Sequence, residues 1–283
     1  MPRRFSSVLA RHKPEQNLTL LVGAGRMGSA LVKAWIAQGI RPIVIEPNPG
    51  DQLLEVARAN GIMLFKHVDG IAGSAVSACV VALKPQVLRT EAIRLRPVAR
   101  TGALMISIAA GTGIASLRKA WGRASIVRAM PNTPGAIGKG ITALYAPRTI
   151  RTDLRALAQS LMAGLGETIW VGKESWIDTV TAVSGSGSAY VFLFGEALAN
   201  AAREQGLPSA IAERLARATI SGAGALLDAD RRQPASLRAD VTSPGGTTEA
   251  ALRVLMQNEA LERLLRKAVA AARRRAEELR EQG

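Results

Sequence analysis

Short apolar runs alternate with helical patterns through the first half of the chain. The runs that predict strands are Leu18–Val22, Pro42–Glu46, Ile62–Leu64, Ala75–Leu83, Ala103–Ala109, Ser125–Ala129, Thr142–Tyr145 and Thr168–Val171. Apolar residues recur at helical spacing after Gly28 and in Asp51–Ala59, Ile114–Trp121 and Arg151–Leu165. This alternation is typical of βαβ units and predicts a parallel sheet covered by helices.

The pattern changes in the second half. After Gly172 no further strand pattern occurs, and Ala, Leu, Arg and Glu recur at helical spacing. We expect helices at Ser175–Val183, Ser188–Gln205, Ser209–Asp228, Thr247–Met256 and Glu259–Glu281. The apolar faces of such helices need a partner, so we expect them to pair with another subunit in a homodimer or higher homo-oligomer.

A glycine-rich turn joins the first predicted strand to the first predicted helix. The spacing is G-x-G-x-x-G, and the candidate cofactor-binding residues are Val22, Gly23, Ala24, Gly25, Arg26, Met27 and Gly28. Glycine permits a tight turn and lets the backbone approach a pyrophosphate, while the free N–H groups of the helix start offer partial positive charge. Because a strand and a helix flank the motif, it predicts a dinucleotide site.

These patterns together predict an α/β fold: an N-terminal Rossmann-type parallel sheet domain followed by an all-α dimerisation domain. The expected boundaries are a basic N-terminal extension at 1–16, a dinucleotide-binding domain at 17–172, and a helical dimerisation and substrate domain at 173–283.

An acidic residue ends the second predicted strand. Glu46 lies close to the ~20-residue offset from the glycine turn that is expected of a ribose-binding acid. A carboxylate there accepts hydrogen bonds from ribose hydroxyls and repels a 2′-phosphate, which favours NADH. Asn48 and nearby arginines leave room for a phosphate. The coenzyme is therefore NADPH or NADH, and the choice stays open.

Two further loops are expected at the coenzyme, because ligands of a parallel sheet bind beyond the carboxyl ends of its strands. One comprises Ala82, Leu83, Lys84 and Pro85, and the other comprises Ala109, Ala110 and Gly111. Small residues there let a flat nicotinamide ring lie against backbone.

Two glycine-serine segments occur in the helical half. Ser184–Ser188 is expected to interrupt a helix, and Thr242–Thr248 precedes one. The second segment places hydroxyls and free N–H groups at a helix start, where they suit a small carboxylate. A simple capped turn is the alternative.

Charge and composition remove several function classes. The net charge is +15, yet the arginines are dispersed and aromatic residues make up only 4%. We therefore predict no nucleic-acid partner. No apolar run is long enough to span a membrane. The single cysteine, Cys79, lies in an apolar run and forms no internal disulfide, which fits a cytoplasmic protein.

The two histidines are His12 and His67. They assemble neither a Ser-His-Asp set nor a metal cluster, so no metal is predicted. A nicotinamide enzyme without a histidine acid suits a cyclic imine, because an imine nitrogen is basic enough to arrive protonated.

Six ordered segments together resemble the pyrroline-5-carboxylate reductase family. They are VGAGRMG at 22–28, ALKP at 82–85, SIAAG at 107–111, RAMPNTP at 128–134, SGSGSAY at 184–190 and VTSPGGTTEAAL at 241–252. The resemblance covers nearly the whole chain. Ser188 stands where the family usually has proline, and the basic ends are not part of the family pattern.

The resemblance implies NAD(P)H-dependent reduction of Δ1-pyrroline-5-carboxylate to L-proline, the final step of proline biosynthesis. It implies a substrate carboxylate held by Ser243, Gly245, Gly246, Thr247 and Thr248. It also implies proton delivery by Thr248, and an acidic residue near the substrate at Glu174. The active site would lie between the nicotinamide and this segment, partly across the dimer.

Three other functions stay open. The substrate is alternatively a six-membered cyclic imino acid. A small hydroxy-acid dehydrogenase would need a catalytic lysine in the helical half, where no lysine lies between Lys173 and Lys267. The third alternative is a non-catalytic dinucleotide-sensing or nucleic-acid-binding protein that uses the basic tail, and salt-sensitive DNA binding without turnover would favour it.

Overall fold

A computed structural model describes residues 18–71 and 75–281. The chain divides into two compact units. The first comprises the residues up to Gly185 together with the segment from Arg273, and the second runs from Ser186 to Ala272. The expected basic extension at 1–16, with His12, lies outside the described residues.

One sheet of eight strands forms the centre of the first unit. The strands are β1 (Leu18–Val22), β2 (Ile43–Ile45), β3 (Met63–Phe65), β4 (Val76–Val81), β5 (Leu104–Ser107), β6 (Ile126–Met130), β7 (Gly140–Tyr145) and β8 (Gly166–Trp170). Their order in the sheet is β3-β2-β1-β4-β5-β6-β7-β8. Because the order reverses direction between β1 and β4, a crevice opens at the carboxyl ends of these two strands.

The expectation of a wholly parallel sheet is wrong at one pair. Strands β6 and β7 run antiparallel, with Arg128 opposite Tyr145, whereas the other neighbouring strands are parallel. The segment between Met130 and Gly140 contains the 3₁₀ helix Thr133–Ile137 and is shorter than the dozen or more residues that a parallel crossover needs. The side chain of Asn132 fastens this turn, since its Oδ1 accepts the amide of Ile141 at 2.9 Å.

Helices cover both faces of the sheet. They are α1 (Arg26–Ala37), α2 (Asp51–Asn60), α3 (Pro85–Glu91), α4 (Arg96–Arg100), α5 (Ile114–Trp121), α6 (Thr152–Ala163) and α7 (Trp176–Val180). Successive residues of β1 enter different cores: Leu20 packs on one face and Leu21 on the other. This alternation is what a strand buried on both faces requires.

Two tryptophans close these cores. Trp35 is fully buried and donates its Nε1 to the carbonyl of Leu161 at 2.7 Å. Trp121 donates to the carbonyl of Ala92 at 2.9 Å on the other face. Cys79 is buried in β4, and burial raises the pKa of its thiol to about 12.

Helices alone make up the described secondary structure of the second unit. They are α8 (Gly187–Glu204), α9 (Ser209–Ala229), α10 (Pro234–Asp240), α11 (Thr247–Met256) and the first part of α12 (Ala260–Glu281), whose last residues belong to the first unit. Exposed apolar side chains are numerous here and include Phe192, Leu193, Phe194, Leu215 and Leu226. Among the described residues, no helix is both long and apolar enough to cross a membrane.

The glycine-serine segment before α8 differs from expectation. Residues Thr181–Gly185 form a π-helical turn that continues α7 rather than a break. Helix α8 begins at Gly187, so Ser188 lies inside it. The preceding residue, Ser186, makes no side-chain capping bond.

Candidate active site

The glycine turn connects β1 to α1 in the first unit. Gly23 has a φ of +90°, a conformation that glycine adopts without a steric penalty, and its amide donates to the carbonyl of Ile45 at 2.9 Å. A Cβ on Gly28 would lie 2.1 Å from the carbonyl oxygen of Gly23. Only glycine at both positions therefore allows α1 to begin this close to the turn.

The start of α1 presents unpaired donors. The first amide of the helix to find a backbone acceptor is that of Ser29, which donates to Gly25 at 2.8 Å. The amides of Arg26, Met27 and Gly28 have no acceptor among the described residues. Free N–H groups at a helix start bind phosphate oxygens well.

Glu46 follows β2 and is fastened to the glycine turn. Its Oε2 accepts the amide of Ala24 at 2.8 Å, and its Oε1 accepts the amide of Asn48 at 3.1 Å. The carboxylate is therefore fixed in place beside the turn by two backbone donors.

A cavity of about 1020 Å³ opens beside these groups. The predicted residues that line it are Val22, Gly23, Gly25, Glu46, Asn48, Ala82, Leu83 and Lys84. It is large enough for a substantial part of a dinucleotide. The other predicted coenzyme residues, which do not line this cavity, are Ala24, Arg26, Met27, Gly28, Pro85, Ala109, Ala110 and Gly111.

Some residues that line the cavity were not predicted from the sequence. His67 comes from the segment after β3, and Val87 and Arg94 come from the helical segment after β4. Their one signal in the sequence is position, since each follows a strand of the predicted sheet.

The loop after β4 is held directly against the glycine turn. The amide of Ala82 donates to the carbonyl of Val22 at 2.8 Å. Lys84 then precedes α3, and Pro85 is the first helical residue, a position where its missing N–H costs nothing.

The loop after β5 lies next along the same edge. The amide of Ile108 donates to the carbonyl of Val81 at 3.1 Å, which ties it to the end of β4. Gly111 is buried and has a φ of +63°. The structure thus brings the loops after β1, β4 and β5 together at one edge of the sheet.

Glu174 makes an ion pair in the first unit. Its Oε1 accepts the amide of Ile114 at 2.7 Å and lies 3.1 Å from Nη1 of Arg128. Arg128 is 1% exposed, and burial lowers the pKa of its guanidinium while Glu174 opposes that shift. Sequence reasoning missed Arg128, although an arginine inside the apolar strand IVRAM is itself a signal of a buried partner.

The predicted substrate segment precedes α11 in the second unit. The amide of Gly245 donates to Oε2 of Glu249 at 2.7 Å, and that of Gly246 donates to the carbonyl of Ser243 at 3.0 Å. Gly246 is the N-cap residue and makes no side-chain capping bond, so the alternative of a turn capped by a side chain is wrong.

The amides of Thr247 and Thr248 have no acceptor among the described residues. Both residues belong to the first turn of α11. Free amides beside hydroxyl groups make this helix start suitable for a small carboxylate.

Known proteins resemble both parts of the chain. A family model described as pyrroline-5-carboxylate reductase dimerisation matches residues 174–279. Another, described as NADP oxidoreductase coenzyme F420-dependent, matches residues 17–111. The pyrroline-5-carboxylate reductase of Pseudomonas aeruginosa is 37% identical over 265 residues, 92% of this chain and 96% of that protein. The chain belongs to the pyrroline-5-carboxylate reductase family.

Two solved structures share the fold over nearly their whole length. A pyrroline-5-carboxylate reductase from Coxiella burnetii is 36% identical with a TM-score of 0.85, covering 93% of this chain and 98% of that one. The Plasmodium falciparum pyrroline carboxylate reductase, solved with NADP bound, is 25% identical with a TM-score of 0.79, covering 94% and 99%.

As a member of this family, the chain is an NAD(P)H-dependent oxidoreductase with a Rossmann-type domain followed by a helical dimerisation domain. The resemblance inferred from the six motifs is confirmed. Within residues 18–71 and 75–281, no cluster of three His, Cys, Asp or Glu side chains suits a metal ion.

Proposed function

We propose that this member of the pyrroline-5-carboxylate reductase family reduces Δ1-pyrroline-5-carboxylate to L-proline with NADH or NADPH, in the final step of proline biosynthesis. The observation that carries the proposal is the cavity in which the glycine turn, Glu46 and Lys84 meet. The amides of Arg26, Met27 and Gly28, which have no acceptor within residues 18–71 and 75–281, suit the pyrophosphate of a dinucleotide. Family membership supplies the substrate class.

Bound reduced coenzyme supplies a hydride to the carbon of the C=N bond. The protein's part is to hold the imino acid and its proton. We assign the substrate carboxylate to the first turn of α11, through Ser243, Gly245, Gly246 and the amides of Thr247 and Thr248. When the C=N carbon accepts the hydride, the iminium π electrons move to nitrogen, and the ring becomes a secondary amine. The Thr248 hydroxyl hydrogen-bonds near this nitrogen and delivers, directly or through water, the proton that converts the amine to the ammonium group of proline; solvent water returns a proton to the hydroxyl.

Glu174 remains proposed as a substrate-side acid. Its Oε1 is engaged with Ile114 and Arg128, so Oε2 is the atom available for the ring nitrogen. The domain boundaries at 17–172 and 173–283 likewise remain proposals.

We also propose that the protein acts as a homodimer or a higher homo-oligomer without a nucleic-acid partner. The exposed Phe192, Phe194 and Leu215 of α8 and α9 support a second copy as the partner, as does the match to a dimerisation family. Light scattering at micromolar concentration would contradict this if it found monomers. A cytoplasmic location fits the single cysteine, and cell fractionation tests it.

Loss of absorbance at 340 nm tests the reaction itself. Each coenzyme is combined with the five-membered and with the six-membered cyclic imino acid. Turnover that favours the five-membered ring supports the proposal, and turnover of the six-membered ring alone replaces it with the alternative substrate. Oxidation of small hydroxy acids in the reverse direction, without imine reduction, would indicate a hydroxy-acid dehydrogenase instead.

A further inference from the structure

Four charged side chains meet in the first unit on elements that are far apart in sequence. Arg128 lies on β6, Glu174 precedes α7, Asp178 lies within α7, and Arg280 is near the end of α12. Arg128 and Asp178 are each 1% exposed. Nε of Arg280 lies 2.9 Å from Oδ2 of Asp178, and burial raises the pKa of that carboxyl while Arg280 and Arg128 lower it. The negative charge of Glu277 also acts on Asp178 and raises the pKa of its carboxyl.

The last turn of α12 also lies directly on the loop after β5. A Cβ placed on Gly111 would come within 2.7 Å of Cβ of Leu279 and 3.4 Å from the amide nitrogen of Arg280. A Cβ on Gly113 would lie 3.7 Å from Cγ of Arg280. The backbone of this loop is therefore in contact with the final helical turn.

The same loop is fastened from its other side. Glu174 accepts the amide of Ile114 at 2.7 Å and is itself held by Arg128 at 3.1 Å. Glu174 and Asp178 are one helical turn apart, so the anchor for the loop and the anchor for the helix end belong to one segment. Residues 111–114 are all buried between these two supports.

We propose that Arg280 is a positioning residue for hydride transfer: its ion pair with Asp178 clamps the last turn of α12 onto residues 111–114 and so fixes the nicotinamide-side loop. This rests on the proposed function, which places Ala109, Ala110 and Gly111 at the coenzyme. Arg280 acts through the loop and does not contact the reacting atoms.

The ion pair supplies the charged part of the contact that holds the turn in place. Asp178 is buried, so removal of Arg280 leaves Arg128 as the cation that acts on its carboxylate, opposed by Glu277. Leu279 lies against Gly111 and Ala276 is buried, so apolar packing and the ion pair together hold the helix end. Release of this turn uncovers the loop on one side while Glu174 still holds the other.

The test compares Arg280→Met with Arg275→Met in the full-length enzyme. Methionine retains an unbranched stem and removes the charge. Arg275 lies on the same helix, is exposed, and pairs with Glu278 at 2.7 Å, which makes it a matched control. Hydrogen exchange of the peptide that spans 109–114 is measured in both variants. We expect exchange on the order of tenfold faster in Arg280→Met and unchanged in Arg275→Met.

Kinetics provide a second readout. We expect Arg280→Met to lower kcat on the order of tenfold and to change the KM for the coenzyme by less than about twofold, because misplacement of the loop affects geometry more than binding. Arg280→Lys retains the charge and should restore part of both effects. Loop exchange in Arg280→Met equal to that in Arg275→Met overturns the proposal.

Failure of the proposed function is distinguishable from failure of this inference. Wild-type enzyme that reduces no cyclic imine refutes the function, and hydrogen exchange still decides the clamp. If Arg280→Met does not fold, the test uses Arg280→Lys and a protein truncated after Arg275. A loop exchange rate in Arg280→Lys that lies between the wild-type rate and the rate of the truncated protein supports the clamp. Wild-type exchange rates in both of these proteins overturn it.

Discussion

The carboxylate of Glu46 accepts the backbone amide of Ala24 at 2.8 Å, so the acid at the end of β2 is part of the glycine turn. A second bond, from the amide of Asn48 at 3.1 Å, holds its other oxygen. We propose that this carboxylate, held by two backbone amides, meets the adenosine ribose of the coenzyme, the role that its offset from the glycine turn predicts. A 2′-phosphate there would be repelled by this carboxylate, because its two backbone hydrogen bonds prevent it from rotating away.

Replacement of this acid should change the choice of coenzyme. For Glu46→Ser we expect the ratio of kcat/KM with NADPH to kcat/KM with NADH to rise on the order of tenfold, equivalent to about 1.4 kcal/mol, because the repulsion of the phosphate is removed. Glu55→Ser is the matched control, since Glu55 is exposed on α2 and does not line the cavity. A ratio equal to that of the control would contradict the role of Glu46.

The close approach of Gly28 to Gly23 predicts a steric effect. In Gly28→Ala the new Cβ would lie 2.1 Å from a backbone oxygen, so α1 must move away from the turn. We expect a loss of stability of about 1–3 kcal/mol and weaker coenzyme binding. Urea unfolding and coenzyme titration measure the two effects. Gly50→Ala is the control because a Cβ there meets nothing within 4 Å, and unchanged coenzyme affinity in Gly28→Ala would refute the reasoning.

The hydroxyl of Thr248 has a separate prediction. In Thr248→Ala we expect kcat to fall on the order of tenfold to a hundredfold, while the dissociation constant of NADH changes by less than about twofold. Steady-state kinetics and fluorescence titration give the two numbers. Thr152→Ala, at the exposed start of α6, should retain wild-type turnover. Equal loss of turnover and of coenzyme binding would count against proton delivery by Thr248.

The raised pKa of the Asp178 carboxyl predicts that the stability of the protein depends on pH. Burial raises the pKa of its carboxyl above the value of ~3.9 that it has in an unfolded chain. The folded state therefore binds more protons, and the contribution of Asp178 to stability is fully present below about pH 4 and is lost as pH rises through the folded pKa. Asp178→Asn removes this term. The difference in unfolding free energy, variant minus wild type, should become more positive with rising pH; a difference independent of pH would refute it.

Hydrophobic periodicity was sufficient to predict the helices and strands that have a regular apolar repeat and a clear start signal in the sequence. Helices α5 and α11 occupy the predicted ranges Ile114–Trp121 and Thr247–Met256, and β1 occupies Leu18–Val22. Each is preceded by glycine or by a polar segment, and each has an apolar face that repeats regularly. The segment 85–100, which carries α3 and α4, lacks such repetition and contains Pro97, so no helix was expected there.

Relations between distant residues were not accessible in this way. Periodicity indicates that β7 is a strand but does not give its direction, which the short turn before it decides. The partner of Arg128 is Glu174, 46 residues away in the sequence. The partner of Asp178 is Arg280, near the carboxyl end of the chain. Lining residues such as His67 and Arg94 follow from how the chain closes around the cavity. Glu46 was accessible because its offset from the glycine turn is set by one βαβ unit.

The placement of the indole rings gives the enzyme an internal optical reporter. Each of its four tryptophans, at positions 35, 121, 170 and 176, belongs to the first unit, and the second unit has none. Trp35 and Trp121 are sealed in the two faces of the sheet, whereas Trp176 is exposed. Tryptophan fluorescence therefore reports the unfolding of the first unit, whereas far-ultraviolet circular dichroism also reports the helices of the second unit. A mismatch between the two signals would resolve the units as separate steps of unfolding.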